Sequence, residues 1–230
     1  MLLEFKKNKI VRFSSGLGNQ MFQYAFFLSL KNRFKNVKAD ISDYTFQKMH
    51  HGFELERIFP IRLDKIKRHA PSNPFIRKVY RIYYTIKNFC FQYRERQEDY
   101  YHFNEKLYKD AYPYYYKGFW QNEDYFKGVG SQLRQDFTFK LPLSTENSEI
   151  IPLIQQPNTV ALHVRRGDYL NLGWSICDLD YYTKAITRIN ELVGVSQYFI
   201  FSDDIATGVN KTWLLKALFI STGIKERIAI

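Results

Sequence analysis

Two polar loops, each following an apolar run typical of a β-strand, constrain the fold of this chain more than any other feature. The first loop spans residues 14–24 and follows the run 10–13, and the second spans residues 163–169 and follows the run 159–162. In open α/β sheets, a strand that leads through a polar loop into a helix places anion-binding groups at the carboxyl end of the strand. The two loops therefore predict an α/β enzyme that binds a nucleotide diphosphate.

The composition limits the size of the domains and the class of ligand, but it does not identify a single ligand. The 230 residues are 45% hydrophobic, which is enough for one large or two small globular domains. A net charge of +11 favours anionic small ligands, nucleic acid or an acidic membrane face. Cys90 and Cys177 form no Cys-x-x-Cys pair, and the sequence contains no signal peptide and no apolar run long enough to span a membrane. We therefore expect a protein of the cytoplasm.

The segment after the first loop predicts an amphipathic helix over residues 19–30, because its apolar residues recur near helical spacing. Gly16 and Gly18 are interpreted as positions where the backbone bends sharply and a ligand approaches closely. Asn19 and Gln20 place amides on the first helical turn, where we expect them to lie beside the ligand. A tight turn before an ordinary helix is the alternative interpretation.

Residues 74–120 interleave aromatic and basic side chains. Residues 76–90 match the spacing of an amphipathic helix, which we favour over a surface that stacks on bases and binds phosphates. The basic face of such a helix could also contact an acidic membrane surface. Residues 112–121 predict a strand that leads into a ligand-facing loop.

The second half begins after a Pro-, Ser- and Asn-containing segment, residues 142–157, which is the best candidate for a domain boundary. A strand at 159–164, a helix at 181–193 and a strand at 197–201 then predict a parallel pair with a right-handed crossover. The helix should turn Tyr182, Ala185, Ile186, Ile189 and Leu192 inward. Residues 163–168 and 202–204 would consequently leave the sheet at the same edge.

Three charged residues at that edge suggest the chemistry. Arg165 and Arg166 each present a planar guanidinium fork that suits phosphate oxygens and could stabilise a departing diphosphate without a metal ion. Asp203, at the end of the neighbouring strand, is an acceptor suited to a ribose hydroxyl or a base N–H group.

Five strings in this chain resemble the bacterial alpha-1,2-fucosyltransferases in the same order, and the resemblance runs from about residue 12 to about residue 205, which is most of the chain. They are GLGNQMFQY at 16–24, GFWQ at 118–121, HVRRGDY at 163–169, DYY at 180–182 and FSDD at 201–204. The resemblance implies an α/β, GT-B-like fold of two Rossmann-like halves facing a cleft. It also implies GDP-fucose as the donor substrate, an acceptor sugar hydroxyl, often on galactose, inversion at the anomeric carbon, and no cofactor or metal.

The resemblance further implies roles for individual residues. Arg165 and Arg166 would lie on the diphosphate side of the donor, and His163 and Asp203 on the nucleoside side. The full predicted donor-binding set is Gly16, Gly18, Asn19, Gln20, His163, Arg165, Arg166, Ser202 and Asp203.

An inverting transfer needs a group that takes the acceptor proton, and a carboxylate is the usual choice. Asp168 is the first candidate for a catalytic base beside the catalytic Arg165, and Asp178 is the second. Asp178 and Asp180 also match the Asp-x-Asp signature of metal-dependent glycosyltransferases. We favour a helix cap at these carboxylates and predict no metal site.

The resemblance predicts two domains. Residues 1–150 would form the acceptor-side Rossmann-like domain with an aromatic-basic helical insertion, and residues 157–230 a partial donor domain. The motif match ends at Ile205, so we expect an incomplete half with two strands. The tail, residues 206–230, is interpreted as the product of a frameshift on a truncated gene, which a short insertion or deletion near the Ile205 codon would reveal.

The leading functional hypothesis is a fucosyltransferase that acts on an acceptor oligosaccharide or a lipid-linked glycan. An inactive, truncated remnant that still binds nucleotide sugars is the alternative from another class. RNA binding through the aromatic-basic stretch is the least favoured, and we predict no nucleic-acid partner. We expect a cytoplasmic protein, with peripheral contact to the acidic inner membrane surface as an additional property.

Overall fold

A computed structural model describes residues 9–46, 51–66, 75–76, 78–79, 82, 94–98, 102–109, 114–142, 144–164, 177–195, 197–202 and 227–228. The chain divides into two compact units, Met1–Pro142 and Leu143–Ile230, here called the N-terminal and C-terminal units. Each unit contains its own parallel sheet, which confirms the predicted α/β class, and the GT-B-like arrangement of two halves facing a cleft stays a prediction. The division falls at the start of the segment 142–157, where Thr145–Ile154 form a helix instead of an irregular linker.

The sheet of the N-terminal unit determines where its loops meet. Its described strands are β1 (Lys9–Arg12), β2 (Val37–Asp40), β3 (Arg94–Gln97) and β4 (Tyr114–Lys117). They are hydrogen-bonded in the order β2-β1-β4-β3, and every pair is parallel. The segments that follow β1, β4 and β3 therefore emerge side by side at one edge of the sheet.

The helices of the N-terminal unit include the one predicted after the first loop, which is confirmed. Its described α-helices include α1 (Leu17–Arg33), α2 (Ser42–Phe46), α3 (Leu55–Ile58), α4 (Lys106–Lys109) and α5 (Gly130–Asp136), and two short 3-10 helices span Glu123–Tyr125 and Lys127–Val129. Helix α1 ends where Phe34 turns extended, and Lys31 and Arg33 in its last turn complement the negative end of the helix dipole.

The core of this unit joins α1 to the loop after β4 through aromatic rings. Phe26 of α1 stacks on Trp120 with ring centroids 3.9 Å apart and an interplanar angle of 7°. Tyr116 and Tyr125 each make edge-to-face contacts with both rings of this pair, and all four side chains are buried. Since buried aromatic rings carry much of a core's stabilisation, the loop that contains Trp120 is anchored to α1.

Part of the predicted aromatic-basic helix is described. Residues 75–76, 78–79 and 82 are helical, as the spacing predicted, but the apolar side chains of Phe75, Ile76, Val79 and Ile82 are exposed. The following residues of the stretch, 83–93, lie outside the described residues. Within the described parts of the chain, no helix has the length and apolar character needed to cross a bilayer.

The C-terminal unit contains the predicted β-α-β pattern. Its described elements are α6 (Thr145–Ile154), β5 (Thr159–Val164), α7 (Leu179–Val193), β6 (Gln197–Ser202) and β7 (Arg227–Ile228). Tyr182 and Ile186 are buried as predicted, whereas Leu192 is 60% exposed and its predicted inward position is wrong. At 3.6 residues per turn, Leu192 lies about 80° from Tyr182 around the helix, at the border of the apolar stripe.

The expectation of two strands in this unit is also wrong. β7 pairs with β6 in parallel, with Phe199 opposite Arg227 and Ile200 opposite Ile228, so the sheet order is β5-β6-β7. Without β7, backbone N–H and C=O groups along one edge of β6 would have no strand partner. The two residues of β7 pair with part of that edge. Residues 203–226, which contain most of the predicted tail, lie outside the described residues.

Candidate active site

The loop after β1 bends at Ser15 and Gly16, and its left-handed residue is the serine. Ser15 adopts a left-handed conformation with φ 70°, whereas Gly16 is extended with φ −74° and ψ 174°. The predicted bend at Gly16 is confirmed, although Gly16 does not adopt a conformation that requires glycine. The Ser15 carbonyl accepts hydrogen bonds from the Tyr44 hydroxyl at 2.7 Å and from Gln20 Nε2 at 3.0 Å. These contacts hold a conformation that is costly for a residue with a side chain, and burial raises the pKa of Tyr44 so that its hydroxyl remains a donor.

Gln20 supports this loop from inside the protein. Its side chain is fully buried, and Nε2 donates to the carbonyl oxygens of Ser15 and Gly52, each at 3.0 Å. Its Oε1 accepts from the backbone N–H groups of Glu54 at 2.9 Å and Leu55 at 3.2 Å. Because an amide has two N–H donors and two acceptor sites, its hydrogen-bonding capacity is filled. Contact between Gln20 and the donor substrate stays a prediction. The structure shows in addition that Gln20 supports the loop after β1.

Two more amides connect the loop after β1 to the loop after β4. Gln23, which is buried, accepts from the backbone N–H of Ser14 at 3.0 Å and donates to the Gly118 carbonyl at 3.1 Å. Asn19 accepts from Gln121 Nε2 at 2.8 Å. The GLGNQMFQY string, whose residues 18–20 are here called the GNQ string, and the GFWQ string are about a hundred positions apart in the sequence, yet they form one hydrogen-bonded edge.

A carboxylate that the sequence analysis missed fixes the second of these loops. Glu98, directly after β3, accepts from the backbone N–H groups of Phe119 and Trp120, both at 2.7 Å, and of Gln121 at 3.1 Å. Trp120 itself is left-handed, with φ 60°. Glu98 lies more than twenty residues before its partners, so no local spacing could have identified it.

Gly18 leaves the start of α1 open. It is exposed in the first helical turn, and a Cβ atom added there would meet nothing within 4 Å. The N-cap residue, Gly16, provides no side-chain cap. Backbone N–H groups at the start of a helix bind anions when they are accessible. This arrangement agrees with close approach of a ligand to Gly18, although the backbone there needs no special conformation.

In the C-terminal unit, the ends of β5 and β6 are joined. Val164 lies opposite Ser202 in the parallel register, and the Ser202 hydroxyl donates to the Val164 carbonyl at 2.8 Å. The carbonyl of His163, whose side chain is exposed, accepts from the Tyr182 hydroxyl at 3.2 Å. The segments that begin at 165 and 203 therefore leave adjacent strand ends. Outside the described residues lie Arg165, Arg166, Asp168 and Asp203.

Asp178 and Asp180 have structural partners. Asp178 Oδ1 accepts from the backbone N–H of Tyr181 at 2.9 Å and caps α7, and Asp180 forms an ion pair with Lys184 at 2.5 Å. These contacts agree with the capping interpretation. In the described part of the chain, no group of three or more His, Cys, Asp or Glu side chains is arranged to hold a metal ion.

Comparison with known proteins identifies relatives. The sequence matches Glycosyl transferase family 11 over residues 3–223, beyond the Ile205 at which the motif resemblance ends. It is 29% identical over 205 residues to the Alpha-1,2-colitosyltransferase of Escherichia coli, covering 85% of this chain and 69% of that protein. It is 26% identical over 228 residues to the O-antigen biosynthesis glycosyltransferase WbnK of Escherichia coli, covering 86% and 73%.

Among solved structures, the fold is similar to NodZ alpha-1,6-fucosyltransferase soaked with GDP-fucose. The TM-score is 0.47 at 14% identity, covering 97% of this chain and 77% of that one. A second structure, of fucosyltransferase NodZ from Bradyrhizobium, gives a TM-score of 0.44 at 15% identity with the same coverage.

Proposed function

We propose that this chain, which belongs to glycosyl transferase family 11, transfers L-fucose from GDP-fucose to a galactoside hydroxyl of an acceptor glycan. The membership establishes a glycosyltransferase of fucosyltransferase type. The proposal adds the donor, the galactoside acceptor, an α-1,2 linkage, inversion at the anomeric carbon and independence from metal ions. The acceptor would be an oligosaccharide or a lipid-linked glycan.

The parallel register of β5 and β6 is the observation that most supports the donor site. Because Val164 and Ser202 lie opposite each other, Arg165 and Asp203 follow adjacent strand ends in the chain. Ligands of open α/β sheets bind outside such carboxyl ends. Arg165 and Arg166 would bind the diphosphate, and Asp203 would accept hydrogen bonds from the nucleoside, with His163 and Ser202 near it.

The proposed reaction is a single displacement. The acceptor oxygen attacks the anomeric carbon of fucose as the bond to the diphosphate oxygen breaks, and GDP carries away the electron pair. Guanidinium groups stabilise the charge that develops on the departing diphosphate. The acceptor hydroxyl loses its proton to a carboxylate, for which Asp168 is the proposed base. The capping contact of Asp178 makes it the weaker candidate.

A transfer assay with separate binding measurements tests this function. The purified chain is incubated with a β-galactoside and either GDP-fucose or GDP-colitose, the second donor being included because one relative is named a colitosyltransferase. Released GDP measures turnover, and NMR of the product identifies the linkage and anomeric configuration. Fucosylation of the galactoside supports the proposal. Tight GDP binding without any transfer supports the inactive remnant instead.

We expect EDTA to leave the transfer rate essentially unchanged. The arginine pair supplies the positive charge that a divalent cation would otherwise provide at the diphosphate. Initial rates in EDTA, in buffer alone and in added Mn²⁺ measure this dependence. A rate that EDTA abolishes and Mn²⁺ restores would make the enzyme metal-dependent and would bring the carboxylates of Asp178 and Asp180 back into consideration.

A further inference from the structure

A cavity of about 300 Å³ opens at the carboxyl edge of the N-terminal sheet. It lies where β1, β4 and β3 are neighbours, so residues at or just after the ends of three adjacent strands contribute to it. Its lining in the described part of the chain includes Arg12, Ser14, Gln97, Glu98, Lys117 and Phe119. The carboxyl edge of a parallel sheet is the usual place for a ligand in this class of fold.

The volume of the cavity limits what it can hold. About 300 Å³ is at the lower end of the range for small-molecule sites. That space accepts one sugar ring but not a complete nucleotide sugar. The volume therefore fits a single ring of monosaccharide size, which can belong to a larger molecule that extends into solvent.

The lining has the composition that a sugar requires. Gln97 carries an exposed amide, which both donates and accepts, and Ser14 provides a hydroxyl that makes only a long, 3.5 Å contact with Gln23. Phe119 provides apolar surface and is 36% exposed. A sugar ring offers hydroxyls around its rim and C–H groups on its faces, so it matches amides and hydroxyls combined with one aromatic ring.

The charges of the described residues at the cavity balance, which favours a neutral ring. Arg12 donates from Nε and Nη2 to Asp43, at 2.9 and 2.5 Å, so a carboxylate offsets its charge. This hydrogen bond and charge raise the pKa of Arg12 against the opposing effect of burial. Lys117 and Glu98 line the same cavity with opposite charges. An acidic sugar would therefore find little excess positive charge to compensate for its desolvation.

Glu98 connects this cavity to the loop geometry already described. Its carboxylate accepts three backbone N–H groups of residues 119–121 and has about four acceptor sites, which leaves one for a hydroxyl at the cavity. The same contacts hold the backbone of Phe119 in place whatever its side chain is. The Phe119 side chain can consequently be removed without removing the hydrogen bonds that shape the loop.

We propose that this cavity binds the terminal neutral hexopyranose of the acceptor glycan. Phe119 packs against the C–H face of the ring, and Gln97 and Ser14 bond to its hydroxyls. The inference rests on the proposed function for the identity of the sugar as acceptor, but sugar binding itself can be measured without transfer.

The test uses two variants of the cavity, Gln97→Ala and Phe119→Ala, in the full chain. The matched controls are Gln132→Ala, at an exposed glutamine of α5, and Phe139→Ala, at a phenylalanine that is 69% exposed away from the cavity. The probe is methyl β-galactopyranoside, followed by saturation-transfer NMR and titration in the absence of donor. The corresponding galactopyranosiduronate carries a carboxylate on the same ring and serves as the charged comparison.

We expect the galactoside to bind and the uronate to bind at least tenfold more weakly. Each cavity variant should weaken galactoside binding and raise the acceptor KM at least tenfold, with GDP affinity and the KM for GDP-fucose changed less than twofold. Both control variants should behave like the parent chain. Circular dichroism and thermal unfolding verify that each variant is folded.

The outcomes separate this inference from the proposed function. Galactoside binding that the cavity variants abolish, without transfer in any assay, would support the cavity and contradict the transferase activity. Transfer with an acceptor KM that both variants leave unchanged would overturn the cavity and preserve the function. A rise in the KM for GDP-fucose instead of the acceptor would assign the cavity to the donor sugar, and tighter binding of the uronate would overturn the preference for a neutral ring.

Discussion

Arg165→Ala is expected to abolish measurable transfer and to weaken GDP binding by more than tenfold, about 1.4 kcal/mol. The substitution would remove the proposed charge-assisted contact to the diphosphate, and the loss should be larger in the transition state, where the leaving group gains charge. Isothermal titration with GDP and initial rates with GDP-fucose measure the two effects separately. Arg165→Lys keeps the charge but not the planar fork, so it should recover part of the GDP affinity and little of the rate.

Arg188→Ala is the matched control for charge. Arg188 lies on the exposed side of α7, where its 68% exposed side chain forms an ion pair with Glu191 at 3.3 Å. Arg188→Ala changes the net charge of the chain by the same amount as Arg165→Ala, and we expect it to alter GDP affinity less than twofold. If folded Arg165→Ala binds GDP as the parent chain does, the diphosphate lies elsewhere and the proposed donor site is wrong.

Much of the fold followed from local pattern. The alternation of strand, helix and strand over residues 159–201 is visible in the sequence because each element buries one apolar run or stripe, and β5, α7 and β6 occupy those positions. The parallel pairing then followed from connectivity alone. β7 was missed because it has only two residues, Arg227 and Ile228, which is too short for a periodic pattern. Its strand conformation depends on pairing with the edge of β6.

The polar loop after β1 was predictable from the sequence, but the contacts of its residues were not. The GNQ string correctly indicated a polar start to α1, but a buried structural amide and an amide that binds a ligand require the same residue type. Gln20 bonds to backbone atoms of Gly52, Glu54 and Leu55, which lie 32 to 35 positions away and offer no side-chain signal. The left-handed conformation of Ser15 was not predicted, because it is stabilised by Tyr44, a partner that only the tertiary structure brings near.

The second large effect is expected in stability, at Gln20→Met. Methionine has nearly the same shape as glutamine but cannot bond to the N–H groups of Glu54 and Leu55 or to the carbonyl of Gly52. An unsatisfied buried polar group costs about 1–3 kcal/mol, so even after relaxation the free energy of unfolding should fall by on the order of 3 kcal/mol. Urea unfolding followed by circular dichroism measures the loss. Gln132→Met, at an exposed position of α5, is the control and should change stability by less than about 0.5 kcal/mol.

Hydrogen exchange tests the same prediction at the individual backbone N–H groups that Gln20 binds. In the parent chain the N–H groups of Glu54 and Leu55 donate to Gln20, so they should exchange slowly, and in Gln20→Met they should lose protection before the strands of the sheet do. Gln20→Glu gives an independent comparison. Its carboxylate can still accept both N–H groups but faces the carbonyl oxygens of Ser15 and Gly52 without a donor, so protection at 54 and 55 should persist while stability still falls. Full stability and unchanged exchange in Gln20→Met would mean that the amide does not hold the loop, and the amides of the GNQ string would then be available to a ligand.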